Sequence, residues 1–254
     1  MQRLVLKVGS AVLTQDGALA LDRLTNLVEF IALLKEQNNE VILVSSGAVA
    51  AGYTLLKLDK SIIANKQALA SIGQPLLLDT YRKKFNKFNI ICSQVLLEAS
   101  IFKDKQRLNH ANDAINTLLK NGVVPIINEN DVTAVDELVF GDNDQLSAHI
   151  SYHFNSDLLV ILTDIDGYYD SNPHENKDAV MQKVVNSISN EELEATHSAN
   201  SDFATGGIVT KLKAADFLIK NKMQMYLGSG FDLTGTKEYL LENKHNIGTI
   251  FRCE

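Results

Sequence analysis

Val41-Ile42-Leu43-Val44-Ser45-Ser46-Gly47 is a run of apolar side chains with no polar residue between them, closed at once by small residues and followed by a small-residue helical segment at 48–52. A strand with one wet face alternates apolar and polar residues. An unbroken apolar run belongs to a strand covered on both faces, as in a parallel sheet packed between helices. The same construction recurs outward in both directions. Leu4-Val5-Leu6-Lys7-Val8 precedes it; 90–97, Val123-Val124-Pro125-Ile126-Ile127, Asp157-Leu158-Leu159-Val160-Ile161-Leu162-Thr163 and 223–227 follow. Between these runs, Leu24, Leu27, Val28, Ile31 and Leu34 fall at helical spacing with Asp22 as the expected cap, and 61–88, 107–120, 144–154 and 208–221 read as further helices. The stretch 164–201 is polar and reads as loop. The fold class expected is α/β, a three-layer sandwich around a mostly parallel open sheet. No linker, repeat or low-complexity segment interrupts 1–254, so a single domain is expected.

Composition removes several classes of function. A net charge of −7 argues against a nucleic-acid surface, which would gather Lys and Arg against phosphates. No stretch of eighteen apolar residues without charge occurs, so no membrane span is expected. The chain enters a strand pattern directly after Met1, without a signal peptide. Cys92 and Cys253 make no disulfide framework, which suits a reducing cytoplasm.

In such a sheet, ligands sit beyond the C-terminal ends of the strands, and polar clusters stand at several of those ends. Ile126-Ile127 runs into Asn128-Glu129-Asn130-Asp131, and Gly141-Asp142-Asn143-Asp144 opens the helix that follows. Amides and carboxylates brought together in this way need a polar ligand or one another to complete their hydrogen bonds. Lys7-Val8-Gly9-Ser10 reads either as a cation held against phosphate, with Gly9 allowing close approach, or as a solvated strand-end lysine. Ser45-Ser46-Gly47-Ala48 is an anion-binding turn or an ordinary helix cap. Thr205-Gly206-Gly207-Ile208-Val209-Thr210-Lys211 resembles a phosphate cradle in construction but is not a Walker A sequence; a flexible loop with an exposed helix lysine is the alternative. Thr163-Asp164-Ile165-Asp166-Gly167-Tyr168-Tyr169 lacks calcium-loop spacing and reads as a nucleotide-side loop or a tight turn with a packed tyrosine. His149 and His153 share helical i, i+4 spacing but lack the flanking acid of a metalloprotease, so they read as helix surface.

Taken in order along nearly the whole chain, these motifs resemble the amino acid kinase superfamily. The pair Ile127-Asn128-Glu129-Asn130-Asp131 and Gly141-Asp142-Asn143-Asp144 resembles the members that phosphorylate glutamate; Ile247-Gly248-Thr249-Ile250-Phe251 closes the match. The resemblance implies an eight-stranded sheet with ATP and L-glutamate over the strand C-termini, Mg2+ accompanying ATP, and L-glutamyl 5-phosphate as product on the route to proline. It implies that Lys7 and Lys211 contact the transferred phosphoryl group and that Asp144 orients them. Ser46, Gly47, Asn128, Asp131 and Asn143 would hold glutamate. Gly9, Ser10, Thr163, Asp164, Thr205, Gly206, Gly207, Ile208, Val209 and Thr210 would join the two lysines on the nucleotide side. It further implies a homodimer or homotetramer, feedback inhibition by proline, and in many members a C-terminal PUA domain. This sequence stops at the end of the kinase pattern, so no such domain and no RNA-related role is expected.

Overall fold

A computed structural model describes residues 1–134, 143–171, 176–194 and 207–253. Gly141, Asp142, Thr205 and Gly206 of the sequence motifs lie outside the described residues. Ten strands occur among those described: β1 (Arg3–Val8), β2 (Thr14–Gln15), β3 (Ala18–Leu19), β4 (Glu40–Ser45), β5 (Cys92–Leu97), β6 (Val124–Glu129), β7 (Leu158–Thr163), β8 (Val184–Val185), β9 (Met225–Ser229) and β10 (Thr249–Phe251). The helices are α1 (Ser10–Leu13), α2 (Leu21–Glu36), α3 (Ala48–Leu55), α4 (Ile63–Phe85), α5 (Lys105–Lys120), α6 (Asn143–His153), α7 (Asn190–Glu194), α8 (Gly207–Lys220) and α9 (Thr234–Glu242).

Eight strands form one sheet in the order β5-β6-β4-β1-β7-β9-β10-β8, with β2 and β3 making a separate hairpin. Every pairing in the large sheet is parallel except β9 with β10. The expected mostly parallel, eight-stranded, three-layer α/β fold is therefore what the chain adopts.

Side-chain parity decides which face each residue serves. Leu4, Leu6 and Val8 of β1, Val41 and Leu43 of β4, and Leu158, Val160 and Leu162 of β7 enter one core with residues of α2 and α4. Val5, Ile42, Val44, Leu159 and Ile161 enter the other, under α5, α6 and α8. Lys7 shares the parity of Val5, so it emerges on the α6–α8 face. Its register with Val44 and Ile161 places it in mid-sheet.

Two glycines set the contact of α3 with α4. A Cβ added at Gly52 would lie 1.9 Å from the Leu69 carbonyl oxygen, and one at Gly73 would lie 1.7 Å from that of Ala48. No side chain fits there, so the backbones touch directly. The helix dipole at the start of α2 is met differently from expectation. Asp22 lies within the first turn rather than at the cap, which is Ala20 and has no side-chain bond; a carboxylate in that turn still opposes the dipole. The strand read at 90–97 is β5 at the sheet edge, half exposed rather than covered on both faces. The polar stretch after β7 carries the short elements β8 and α7.

His149 and His153 are not a solvated helix surface. His149 stacks on Phe102 with centroids 5.0 Å apart and packs at 4.4 Å on Phe217, while His153 lies 5.1 Å from Phe102. Burial, with His153 adding, lowers the pKa of His149, and burial lowers that of His153. A histidine whose folded-state pKa is depressed resists protonation in the folded chain but not in the unfolded one. Nothing is lost well above the ordinary imidazole value of about 6.5; below it the unfolded chain takes up protons that the folded chain refuses, and stability falls. Thermal melts are expected to show Tm falling from about pH 7.5 to about pH 5.5, with a shallower fall in His149→Gln. Equal slopes for the two proteins would remove His149 from the cause.

Candidate active site

The C-terminal ends of β1, β4, β6 and β7 meet near the middle of the sheet, and the polar motifs stand there. Asp144, in the first turn of α6, is fully buried, with Lys7 at 1% and Lys211 at 5% exposure on either side. Lys7 Nζ lies 2.7 Å from Asp144 Oδ1, and Lys211 Nζ lies 3.1 Å from Asp144 Oδ2. Buried charges persist only when paired and hydrogen-bonded. Accordingly, the Thr210 hydroxyl donates to Asp144 Oδ2 at 2.9 Å, and Lys211 also donates to the Gly207 carbonyl at 2.9 Å. Gln145 Nε2 donates to the Thr210 carbonyl at 3.1 Å, binding α6 to α8 at the same point. Both lysines are thus buried, and neither is the solvated side chain that the sequence left open. The three ionised groups together carry one more positive than negative charge, in a place where low dielectric strengthens its field.

Beside this cluster opens a cavity of about 540 Å³ lined by Ser10, Ser46, Gly47, Asn128, Asp131 and Asn143, with Lys60, Ile63, Lys66 and Gln67 of the α4 region. Asn143, next to Asp144, is buried at the junction. Its Nδ2 donates to Asn128 Oδ1 at 2.8 Å and to Ser46 Oγ at 3.1 Å. Its Oδ1 is buried and has no hydrogen-bond partner among the described residues. An orphaned acceptor on a cavity wall is costly unless a donor arrives. Among the described residues, Asp131 is held only by long contacts of 3.5 Å from Asn128 Nδ2 and Gln74 Nε2, which leaves its carboxylate available to a ligand. Gly47 has φ of 107°, the left-handed region in which a side chain is strained, and this turns the chain from β4 into α3.

The other motif residues stand beyond β1 on the opposite side from this cavity. Thr163 ends β7, and its hydroxyl donates to Asp164 Oδ1 at 2.8 Å. Gly207, Ile208 and Val209 form the first turn of α8, where Ile208 also packs on the core. Ser10 is drawn instead to the cavity that holds Ser46 and Asp131. The Gly9 amide is consumed within the sheet: it donates to the Leu162 carbonyl at 3.1 Å. Tyr168 and Tyr169 after β7 are tied to Glu192 and Asp166, so they brace a turn. Sequence reading missed the α4 wall of the cavity, since Lys60, Lys66 and Gln67 look like an ordinary wet helix face.

The sequence and the fold have known counterparts. The model of the Amino acid kinase family matches residues 2–229. A glutamate 5-kinase of Wolinella succinogenes is 52% identical over 255 residues, covering 99% of this chain and 98% of that protein. A glutamate 5-kinase of Leishmania donovani is 50% identical, covering 99% of this chain and 95% of that protein. Among solved structures, carbamate kinase from Giardia lamblia bound to AMP-PNP superposes with a TM-score of 0.68 at 14% identity, covering 100% of this chain and 99% of that one; at that identity the likeness speaks to the fold. The chain belongs to the amino acid kinase family.

Proposed function

We propose that this protein is a glutamate 5-kinase, transferring the γ-phosphoryl group of ATP to the side-chain carboxylate of L-glutamate to give L-glutamyl 5-phosphate, the first step toward proline. The observation that carries this reading is the buried Lys7–Asp144–Lys211 cluster adjoining a cavity that offers Asp131 and the orphaned Asn143 Oδ1. The first suits phosphoryl oxygens. The second suits the ammonium of a free amino acid. The relatives named above carry the same activity in their names.

The acceptor carboxylate has an intrinsic pKa of about 4.3, so it is ionised at neutral pH and needs no general base. One of its oxygens attacks the γ-phosphorus as the bond to the β–γ bridging oxygen breaks, and ADP leaves with that electron pair; no proton moves. The obstacle is repulsion between two anions, and fixed positive charge lowers it where charge develops in the transition state. Lys7 and Lys211 serve as that charge, and Asp144 holds both ammonium groups at a fixed spacing. Ser46, Gly47, Asn128, Asp131 and Asn143 hold glutamate on one side of β1. Thr163, Asp164, Gly9, Ser10, Gly207, Ile208, Val209 and Thr210 serve the nucleotide, with Thr205 and Gly206, which lie outside the described residues, continuing the same motif. Magnesium fits as a companion of the nucleotide. No group of three or more metal-ligating side chains occurs among the described residues, and Mg2+ is commonly held by substrate phosphates with only one or two carboxylates; it neutralises phosphate charge.

Proline carries the ammonium and α-carboxylate of glutamate without the second carboxylate, so it would occupy the acceptor cavity without reaching the lysines; we place feedback inhibition there. The half-exposed edge strand β5 and the exposed Ile91 and Leu96 support assembly as a homodimer or homotetramer. The two free cysteines suit the cytoplasm.

The test is ADP release dependent on both glutamate and magnesium. Asp131→Asn is expected to raise KM for glutamate about tenfold or more while leaving that for ATP nearly unchanged, the pattern of a lost substrate-ammonium partner. A selective rise in the KM for ATP would put Asp131 on the wrong side of the cleft.

A further inference from the structure

The acceptor cavity contains charges of both signs that do not satisfy each other. Asp131 and Lys66 line it together, yet neither forms an ion pair among the described residues. Lys60 also lines it, but its ammonium is held 4.3 Å from the Tyr53 ring, which Lys57 approaches at 4.1 Å. Lys66 has no such ring contact among the described residues. The neighbouring Gln67 ties the helix to the Asp131 loop: its Nε2 donates to the Val132 carbonyl at 3.0 Å, one residue beyond Asp131. Two turns further along the same helix, Gln74 Nε2 reaches Asp131 itself at 3.5 Å. Helix α4 therefore presents a cation on the wall beside which it fastens the Asp131 loop. In a protein of net charge −7, Lys60 and Lys66 make this wall of the cavity locally positive, which draws in an anionic substrate.

A ligand bearing an ammonium and a carboxylate on one carbon would bridge Asp131 and Lys66, each to its opposite charge. Resting on the functional reading above, we infer that Lys66 binds the α-carboxylate of the acceptor amino acid and so makes the enzyme selective for an α-amino acid over the corresponding amine. The side-chain carboxylate is then the one left to face Lys7 and Lys211, and the α-carboxylate is kept from the phosphoryl group.

The experiment compares glutamate with 4-aminobutyrate, which lacks only the α-carboxylate, as acceptor or competitive inhibitor of the full chain with Mg–ATP. Lys66→Met is expected to raise KM for glutamate by about 10- to 100-fold, the scale of one lost charge-assisted hydrogen bond, with kcat within about threefold. It is also expected to bind glutamate and 4-aminobutyrate alike within about threefold, since removing the cation and removing the carboxylate delete the same interaction and do not add. Lys66→Arg should restore most of the preference. A Lys66→Met protein that keeps the wild-type preference for glutamate over 4-aminobutyrate overturns the assignment while leaving the kinase reading intact. A wild-type chain that releases no ADP in response to glutamate overturns both.

Discussion

Alanine at Lys211, or at Lys7, is expected to lower kcat for glutamate-dependent ADP release by about 10²-fold or more, with KM for glutamate far less affected. Each lysine reaches the site through buried structure, Lys7 from mid-sheet and Lys211 from the first turns of α8. Neither can be replaced by a neighbouring mobile cation, because both ammonium positions are defined by Asp144 at 2.7 and 3.1 Å. The loss should appear equally in kcat and kcat/KM, the signature of an interaction strengthened in the transition state. Steady-state kinetics on the two variants check it, and an unchanged kcat would remove that lysine from the transfer.

Asp144→Ala is expected to do more, damaging stability as well as rate. Removing one member of a buried ionic cluster leaves the others uncompensated, at a cost of about 3–5 kcal/mol. Here the remaining members are two ammonium groups of like charge, and the Thr210 hydroxyl keeps only the Gly207 carbonyl of its two acceptors. Urea denaturation should show a lower midpoint with an unchanged slope, and kcat should fall at least as far as in either lysine variant. A midpoint equal to that of the wild type would mean that the three charges are not energetically coupled.

Most of the sheet was legible because strands covered on both faces announce themselves by unbroken apolar runs, as in 41–44 and 158–162. The second half of the sheet was less so. Strands β8 and β10, and outside the sheet the strands of the hairpin β2–β3, are two or three residues long, too short to carry periodicity; β10 pairs along the edge of β9 and β8 along β10. Of the polar motifs, Asn128, Asp131 and Asn143 stand on the wall of one cavity, with Asp144 next in sequence to Asn143. What sequence could not show was that Lys7 is buried and ion-paired, since that depends on its sharing the parity of Val5 beneath α6. Lys66 and Gln67 were invisible for a different reason. Their contribution arises from how α4 crosses α3, and the only local trace of that crossing is a glycine inside each helical pattern.

That crossing has a further consequence. Helix α3 starts from the Ser46–Gly47 turn on one side of the acceptor cavity, and α4 carries Lys66 and Gln67 on its wall. The two are in backbone contact at Gly52 and Gly73, where nothing larger than hydrogen can stand. The breadth of the chamber is therefore gauged by two missing methyl groups that do not line it. Enlarging the pocket for a longer acceptor would call for a wedge between those helices, not for trimming of the residues that line it.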